Sequence, residues 1–334
     1  MSEESSSKNK IHFDKKEILK KLNSYQKYQT NNATIIRWED DMNSDTEMYI
    51  MKNKINNLPF LGVVNYEFKR EGYCLNSYLN GDEYFGYYSN DLRNKQGLYI
   101  YKPKYETNNK ILRQYYFGHW ENDLKHGRGV YLWLKENKLN GIKNNNNLSN
   151  KLYNPFNNDF DKANFEAYIG LFEQNKFTKG TLLKKEENSY FVFHGFFQNL
   201  KKNGINCFYY SDKLEQVQYG TFKDDMFIDG FVGKFNEEGE LEKMIKYKNK
   251  KILDEKNDDN KAIAKKMLTF RNVIMSKDYF GIVYNIFKDA INFKNDNMND
   301  VEFFNSDTYI DLMDIAASYN QASIFKDIEK YLKE

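Results

Sequence analysis

The side chains best suited to hold a metal or attack an electrophile in this chain are four histidines, His12, His119, His126 and His194, and two cysteines, Cys74 and Cys207. Zinc needs three or four such ligands converging on one point. The local grouping that comes nearest is His119, Glu121 and His126, around one turn. His119, however, directly follows a glycine, where corresponding segments carry Tyr87, Leu171 and Phe196, so a place on a repeat surface is favoured over a ligand role. Cys74 has no histidine near it in sequence, and Cys207 lies in an apolar pattern. Buried, inert thiols are expected there, not nucleophiles. Gly127-Arg128-Gly129 resembles a fragment of a phosphate loop but lacks the Lys-Ser/Thr pair, the preceding buried strand and the following helix. No catalytic residue, metal site or cofactor is assigned, and the expectation is that the chain is not an enzyme.

Composition narrows the classes further. The 334 residues carry 50 Lys and Arg against 48 Asp and Glu, a net charge of +2, which provides no basic field for nucleic acid. Two cysteines do not make a disulfide framework in a chain of this length, and a reducing compartment fits them. No run approaches the roughly 18 apolar residues of a membrane span. The opening residues MSEESSSKNK have no apolar signal core, and Ser2 stands where myristoylation needs glycine. A cytoplasmic protein is expected. With 27 Tyr and 26 Phe, the chain has too many rings to remain unfolded in water despite its abundant Asn and Lys.

Glycine placement shows which elements must carry these residues. Of 18 glycines, 17 lie between Gly62 and Gly239, so the middle reads as β and the flanks as helical. Residues 1–59 form a tail with one short amphipathic helix, in which Ile18, Leu19, Leu22 and Tyr25 share a face on a basic background. Residues 241–260 read as a linker and 261–334 as a helical domain. Its first helix places Ile263, Met267, Phe270 and Ile274 on one side, and a second carries Val283, Phe287 and Ala290. Further helices are expected through Ile310, Met313 and Ala317 and through Ile324, Phe325, Ile328 and Leu332. From Asp254 onward this tail holds 15 Asp and Glu against 11 Lys and Arg, too slight an excess to name a partner.

The middle, 60–240, repeats itself. Six segments share an aromatic, a glycine two residues on, and an aromatic or apolar residue two further: Phe60-Gly62-Val64, Tyr84-Gly86-Tyr88, Tyr116-Gly118-Trp120, Tyr168-Gly170-Phe172, Phe193-Gly195-Phe197 and Gln218-Gly220-Phe222. A second glycine follows each after a polar turn, as Gly129 does after Asn122-Asp123. Core glycines fall 24, 32, 52, 25 and 25 residues apart, and the widest gap holds an Asn-rich insertion at about 138–162. On a strand, residues two apart share a face, so Tyr116, Gly118 and Trp120 point together, and the glycine leaves room for a ring to lie over the backbone. Each unit is then one hairpin, and twelve strands stacked at about 4.8 Å would span roughly 55 Å.

This pattern resembles the MORN repeat family, whose units read approximately Tyr-x-Gly-x-Trp, a polar turn, then Gly-x-Gly and an apolar strand. Residues Tyr116 to Tyr131, YFGHWENDLKHGRGVY, match it best. The resemblance implies a mainly β fold, an elongated single-layer antiparallel sheet of hairpins, here with an N-terminal helix and a C-terminal helical segment. Such a sheet has open edges and an uncovered face, which the flanking helices are expected to cap; half or more of the aromatic row reads as plain core, with the rest covered by a partner, a second copy or the terminal helices. The function expected is a noncatalytic scaffold or adaptor for protein–protein interaction, with self-association, in a cytoskeletal or ciliary assembly. The alternative is a tether on anionic phospholipid membranes, held through Lys15, Lys16, Lys20 and Lys21 and through Lys246, Lys248, Lys250 and Lys251. Solvated surfaces are the plain reading of both lysine clusters.

Overall fold

The fold is taken from a computed structural model. The structure describes residues 28–30, 33–37, 49–53, 60–64, 69–105, 110–137, 164–186, 189–254, 260–276, 279, 281 and 283–287.

Eighteen strands and one long helix are present among these residues. The strands are β1 (Tyr28–Thr30), β2 (Ala33–Arg37), β3 (Tyr49–Asn53), β4 (Phe60–Val64), β5 (Arg70–Ser77), β6 (Glu83–Ser89), β7 (Leu92–Ile100), β8 (Lys104–Tyr105) and β9 (Lys110–Glu121). After them come β10 (Leu124–Asn137), β11 (Asn164–Glu173), β12 (Lys176–Glu186), β13 (Ser189–Gln198), β14 (Lys201–Ser211), β15 (Gln216–Lys223), β16 (Met226–Phe235), β17 (Leu241–Lys248) and β18 (Lys251–Asp254). The helix α1 spans Lys261–Ser276.

Successive strands pair antiparallel, except that β7 and the short β8 both pair with β9, giving a mainly β, open sheet in meander order. Along one side of β9 the register is shared, with β7 opposite Tyr115 to Trp120 and β8 opposite Ile111 and Leu112. The six expected hairpins are present, and the sheet is longer than expected at both ends. The stretch read as a tail contributes β1 to β3. The stretch read as a linker is a further hairpin as far as Asp254, in which Met244 and Ile245 are buried between exposed or half-buried lysines. The amphipathic helix and the last two tail helices fall outside the described residues.

The two margins of the sheet differ. From β6 onward one margin is built from two-residue turns whose residues both have positive φ: Asn90-Asp91, Asn122-Asp123, Gln174-Asn175, Asn199-Leu200, Asp224-Asp225 and Asn249-Lys250. This is the type I′ geometry that matches strand twist, and Asn and Asp tolerate it. The other margin carries connections of unequal length, from the two residues 187–188 between β12 and β13 to the stretch 138–163 between β10 and β11.

Strands of the middle of the sheet, such as β6, β9, β11 and β13, bury residues on both faces. One face holds Tyr84, Tyr88, Tyr116, Trp120, Phe172, Phe193 and Phe222 and is called the ring face below. The opposite face holds Phe85, Leu98, Phe117, Leu132, Leu183, Phe208 and Val217, together with the buried side of α1. Asn260 starts α1 by accepting from the Ile263 amide at 3.2 Å, an N-cap that satisfies one of the free donors of the first turn. Met267, Phe270, Val273 and Ile274 turn onto the sheet, where Phe270 stacks on Phe208 at 4.8 Å and Met267 meets Gly233. In the helical segment 283–287, Phe287 reaches Tyr115 of β9, with ring centroids 5.7 Å apart. The helices therefore lie across one face of the sheet, reaching inward from the last repeat as far as β9.

Candidate interaction surface

The core glycines form one row across the sheet. Gly62 pairs with Cys74, and the row continues through Gly86, Gly97, Gly118, Gly129, Gly170, Gly180 and Gly195. Cys207 comes next, its sulfur 2.5 Å from where a Cβ on Gly195 would sit, followed by Gly220 and Gly230. Tyr247 of β17 stands opposite Gly230. Both cysteines thus occupy positions in a glycine row, at the two places where another residue interrupts it. The row is needed because rings lie on it: a Cβ on Gly97 would fall on the Tyr84 ring, one on Gly129 would meet Tyr116, and one on Gly195 would meet Phe193. Laid down in this way, Tyr84 donates its hydroxyl to the Tyr87 carbonyl at 3.1 Å, and Tyr116 donates to that of His119 at 2.8 Å.

The rings then join hairpin to hairpin. Tyr84 meets Tyr88 edge-on at 5.1 Å and Trp120 of the next hairpin at 5.5 Å. Tyr116 meets Trp120 and then Phe172, both at 5.1 Å, and Phe193 meets Phe197 and then Phe222, both at 5.1 Å. Tyr168 reaches Phe197 at 5.8 Å. Each edge-to-face pair is worth about 0.5–1.5 kcal/mol beyond its buried area. Tyr84, Tyr88, Tyr116 and Phe193 are fully buried. Half or more of the row was expected to be plain core, and these four rings are core. They lie flat along the strands and cover one another, so the open part of the ring face is made of half-buried neighbours such as Tyr101, Tyr131 and Trp133.

A second row runs beside the type I′ turns. Arg70, Arg93, Lys125 and Lys202 start the returning strands of their hairpins and lie over rings: Arg70 over Tyr88 at 4.2 Å, Arg93 over Trp120 at 4.4 Å, Lys125 over Tyr131 at 4.9 Å and Lys202 over Tyr209 at 5.1 Å. Each is clasped by the turn of the next hairpin. The backbone amides of Arg70, Arg93, Lys125 and Lys202 donate to side-chain oxygens of Asp91, Asp123, Asn175 and Asp225 at 2.8–2.9 Å. The amides of those turn residues donate back to the four carbonyls. Arg70 and Arg93 add Nε contacts of 2.8 Å to Asp91 and Asp123. Burial, with Arg93 close by, pulls the Lys125 ammonium down to about 8, and burial also lowers Lys202. This row was not recognised in the sequence, although a basic residue two positions after the turn was a readable signal in three hairpins.

Of the two lysine clusters, Lys15, Lys16, Lys20 and Lys21 lie outside the described residues. Lys246 and Lys248 are on β17, Lys250 is in the last turn and Lys251 is on β18. Register sets Lys248 opposite Lys251 and Lys246 opposite Asp254, and the Lys246 ammonium lies 5.7 Å from the Phe231 ring. Lys248, Lys250 and Lys251 are exposed.

Of the candidate chemical groups, only His126 and Glu121 are shown in contact among the described residues. His119 faces Gln96 at 3.2 Å and burial holds it below its ordinary range, His126 approaches Glu121 at 3.5 Å, and His194 pairs with Thr181 at 3.0 Å. Burial raises the Cys207 thiol, which makes it a poor nucleophile. Among the described residues no group of three His, Cys, Asp or Glu side chains could hold a metal ion. A cleft of about 720 Å³ opens at the irregular margin of the ring face, with Gln114, Trp133, Glu166, Lys184 and Glu186 in its wall. Its charges are largely matched internally, with Lys184 and Glu186 in contact at 2.6 Å. No described helix is long and apolar enough to cross a membrane. No family model matches the chain, and no curated protein matches it.

Proposed function

We propose that this chain is a noncatalytic scaffold that presents a rigid repeat sheet to other proteins. The observation that carries the reading is the glycine row with its interlocked rings, which ties strands β4 to β16 into one continuous surface. Side chains of this kind organise a surface and leave little that could perform catalysis. The resemblance to MORN repeats adds the setting, a cytoplasmic cytoskeletal or ciliary assembly. Crosslinking mass spectrometry from cell extract tests it: crosslinks from sheet residues to recurring partner proteins, or to a second copy, are expected. A chain that crosslinks only within itself would remove the reading.

A second reading, a tether on anionic membranes, draws on the exposed Lys248, Lys250 and Lys251 at one end of the sheet. It requires salt-sensitive pelleting with anionic liposomes, since such attraction is screened over about 8 Å at physiological salt. Absence of pelleting at low salt would eliminate it.

A further inference from the structure

The clasp between neighbouring hairpins has one exception. Three of the four cations at the turn margin face an aspartate, Asp91, Asp123 or Asp225, while Lys125 faces Asn175. The amide reproduces the backbone bond at 2.8 Å but supplies no negative charge. Lys125 has no ion-pair partner among the described residues. Its ammonium lies 5.4 Å from the Tyr101 and Tyr116 ring centroids and 4.9 Å from that of Tyr131. The charged groups nearby do not neutralise it: Arg93 repels it and is already bound to Asp123. Asp82 is occupied by the Tyr99 hydroxyl and the Lys102 amide, both at 2.8 Å. A half-buried cation fixed between rings and lacking a counter-charge gains from a carboxylate brought in from outside.

The geometry points to Lys125, cradled by Tyr101, Tyr116 and Tyr131 opposite neutral Asn175, as a receptor for a carboxylate carried by an acidic segment of a partner protein. The inference rests on the scaffold reading and names the chemistry of one partner contact. Tyr101 and Tyr131 are half-buried, so the incoming carboxylate has an open approach. Trp133, in edge contact with Tyr131 at 5.6 Å, extends the aromatic floor for an apolar residue beside the acidic one.

The test uses the full chain and a fluorescent peptide of about ten glutamates at low salt, followed by anisotropy. Asn175→Asp places the missing carboxylate within the chain while keeping Lys125 and the oxygen that accepts its amide. Both Asn175→Asp and Lys125→Gln are expected to weaken peptide binding about tenfold. Lys201→Gln, at an exposed lysine four strands away, is expected to leave it within about twofold, since exposed charges act weakly. Melting curves of Asn175→Asp at or above that of the parent chain show that the loss is not unfolding. Unchanged binding by Asn175→Asp overturns the inference. So does an equal loss in Lys201→Gln, which would mean diffuse attraction, or Lys125-dependent binding of phosphatidylserine vesicles without peptide binding. Partner proteins crosslinked only at other surfaces would remove this inference and leave the scaffold reading standing.

Discussion

Cys207 stands opposite Gly220 in the register of β14 with β15, and its sulfur fills the space that Gly195 leaves on the other side. A thiol is therefore the filler at a point in the row where neighbouring strands use glycine. Replacing it with leucine should overpack the row and cost about 1–3 kcal/mol, read as a fall in the urea midpoint without a change in slope. Cys207→Ala should cost less, and the native thiol should react with iodoacetamide only as fast as the protein opens.

The glycine row makes a sharper claim at Gly118, where an added Cβ would lie 2.5 Å from the Gly129 Cα and 2.8 Å from the Tyr116 hydroxyl. Backbone cannot step aside as a flexible side chain can. Gly118→Ala should destabilise by about 1–3 kcal/mol. If it melts with the parent protein, the rings do not lie on the row as described.

Lys125 gives the sheet a pH dependence of defined sign. Its folded value of about 8 lies below the ordinary lysine value near 10.4, so between those limits the unfolded chain binds more protons. Stability from this group should rise with pH from about 8 to 10 and be absent below 8. Lys125→Met should flatten that slope in urea melts run across the window. Tyr116 works against it at higher pH, because burial raises its hydroxyl and favours loss of stability as tyrosines ionise.

Arg271 of α1 is buried, with Nε lacking any hydrogen-bond partner and the guanidinium 3.5 Å from Glu215. Glu215 is about half exposed and pays little of the cost of burying that charge. Arg271→Met should melt at or above the parent temperature, whereas Glu215→Gln should melt below it. An Arg271→Met protein that melts below the parent, as Glu215→Gln does, would show that the ion pair holds the helix down.

What the sequence reveals and conceals follows from the range of each interaction. The spacing of Tyr116, Gly118 and Trp120 was readable because a strand resolves it locally, and the rings and glycine fall on one face as expected. The last hairpin was hidden because Lys243, Lys246 and Lys248 dilute its apolar pattern, although Lys246 lies along the Phe231 ring. The clasps were hidden for a different reason. Lys125 and Asn175 are 50 residues apart, while Arg70 and Asp91 are 21 apart, so no fixed spacing marks them. The place of Cys74 and Cys207 needs strand register, which single segments do not carry.

The unequal margins of the sheet have a consequence for how such a chain can change. At the type I′ margin the turns Asn90-Asp91, Asn122-Asp123, Gln174-Asn175 and Asp224-Asp225 are also fasteners for the hairpin before, so a residue added in any of them would break two contacts at once. The opposite margin has clasps of its own, as where the Tyr190 amide donates to Asp212 at 2.9 Å, but between β10 and β11 it spans 138–163 without altering the pairing of Gly129 with Gly170. Growth, grafted segments and new specificities therefore have a place to accumulate there, while the clasped turns keep the repeat in step.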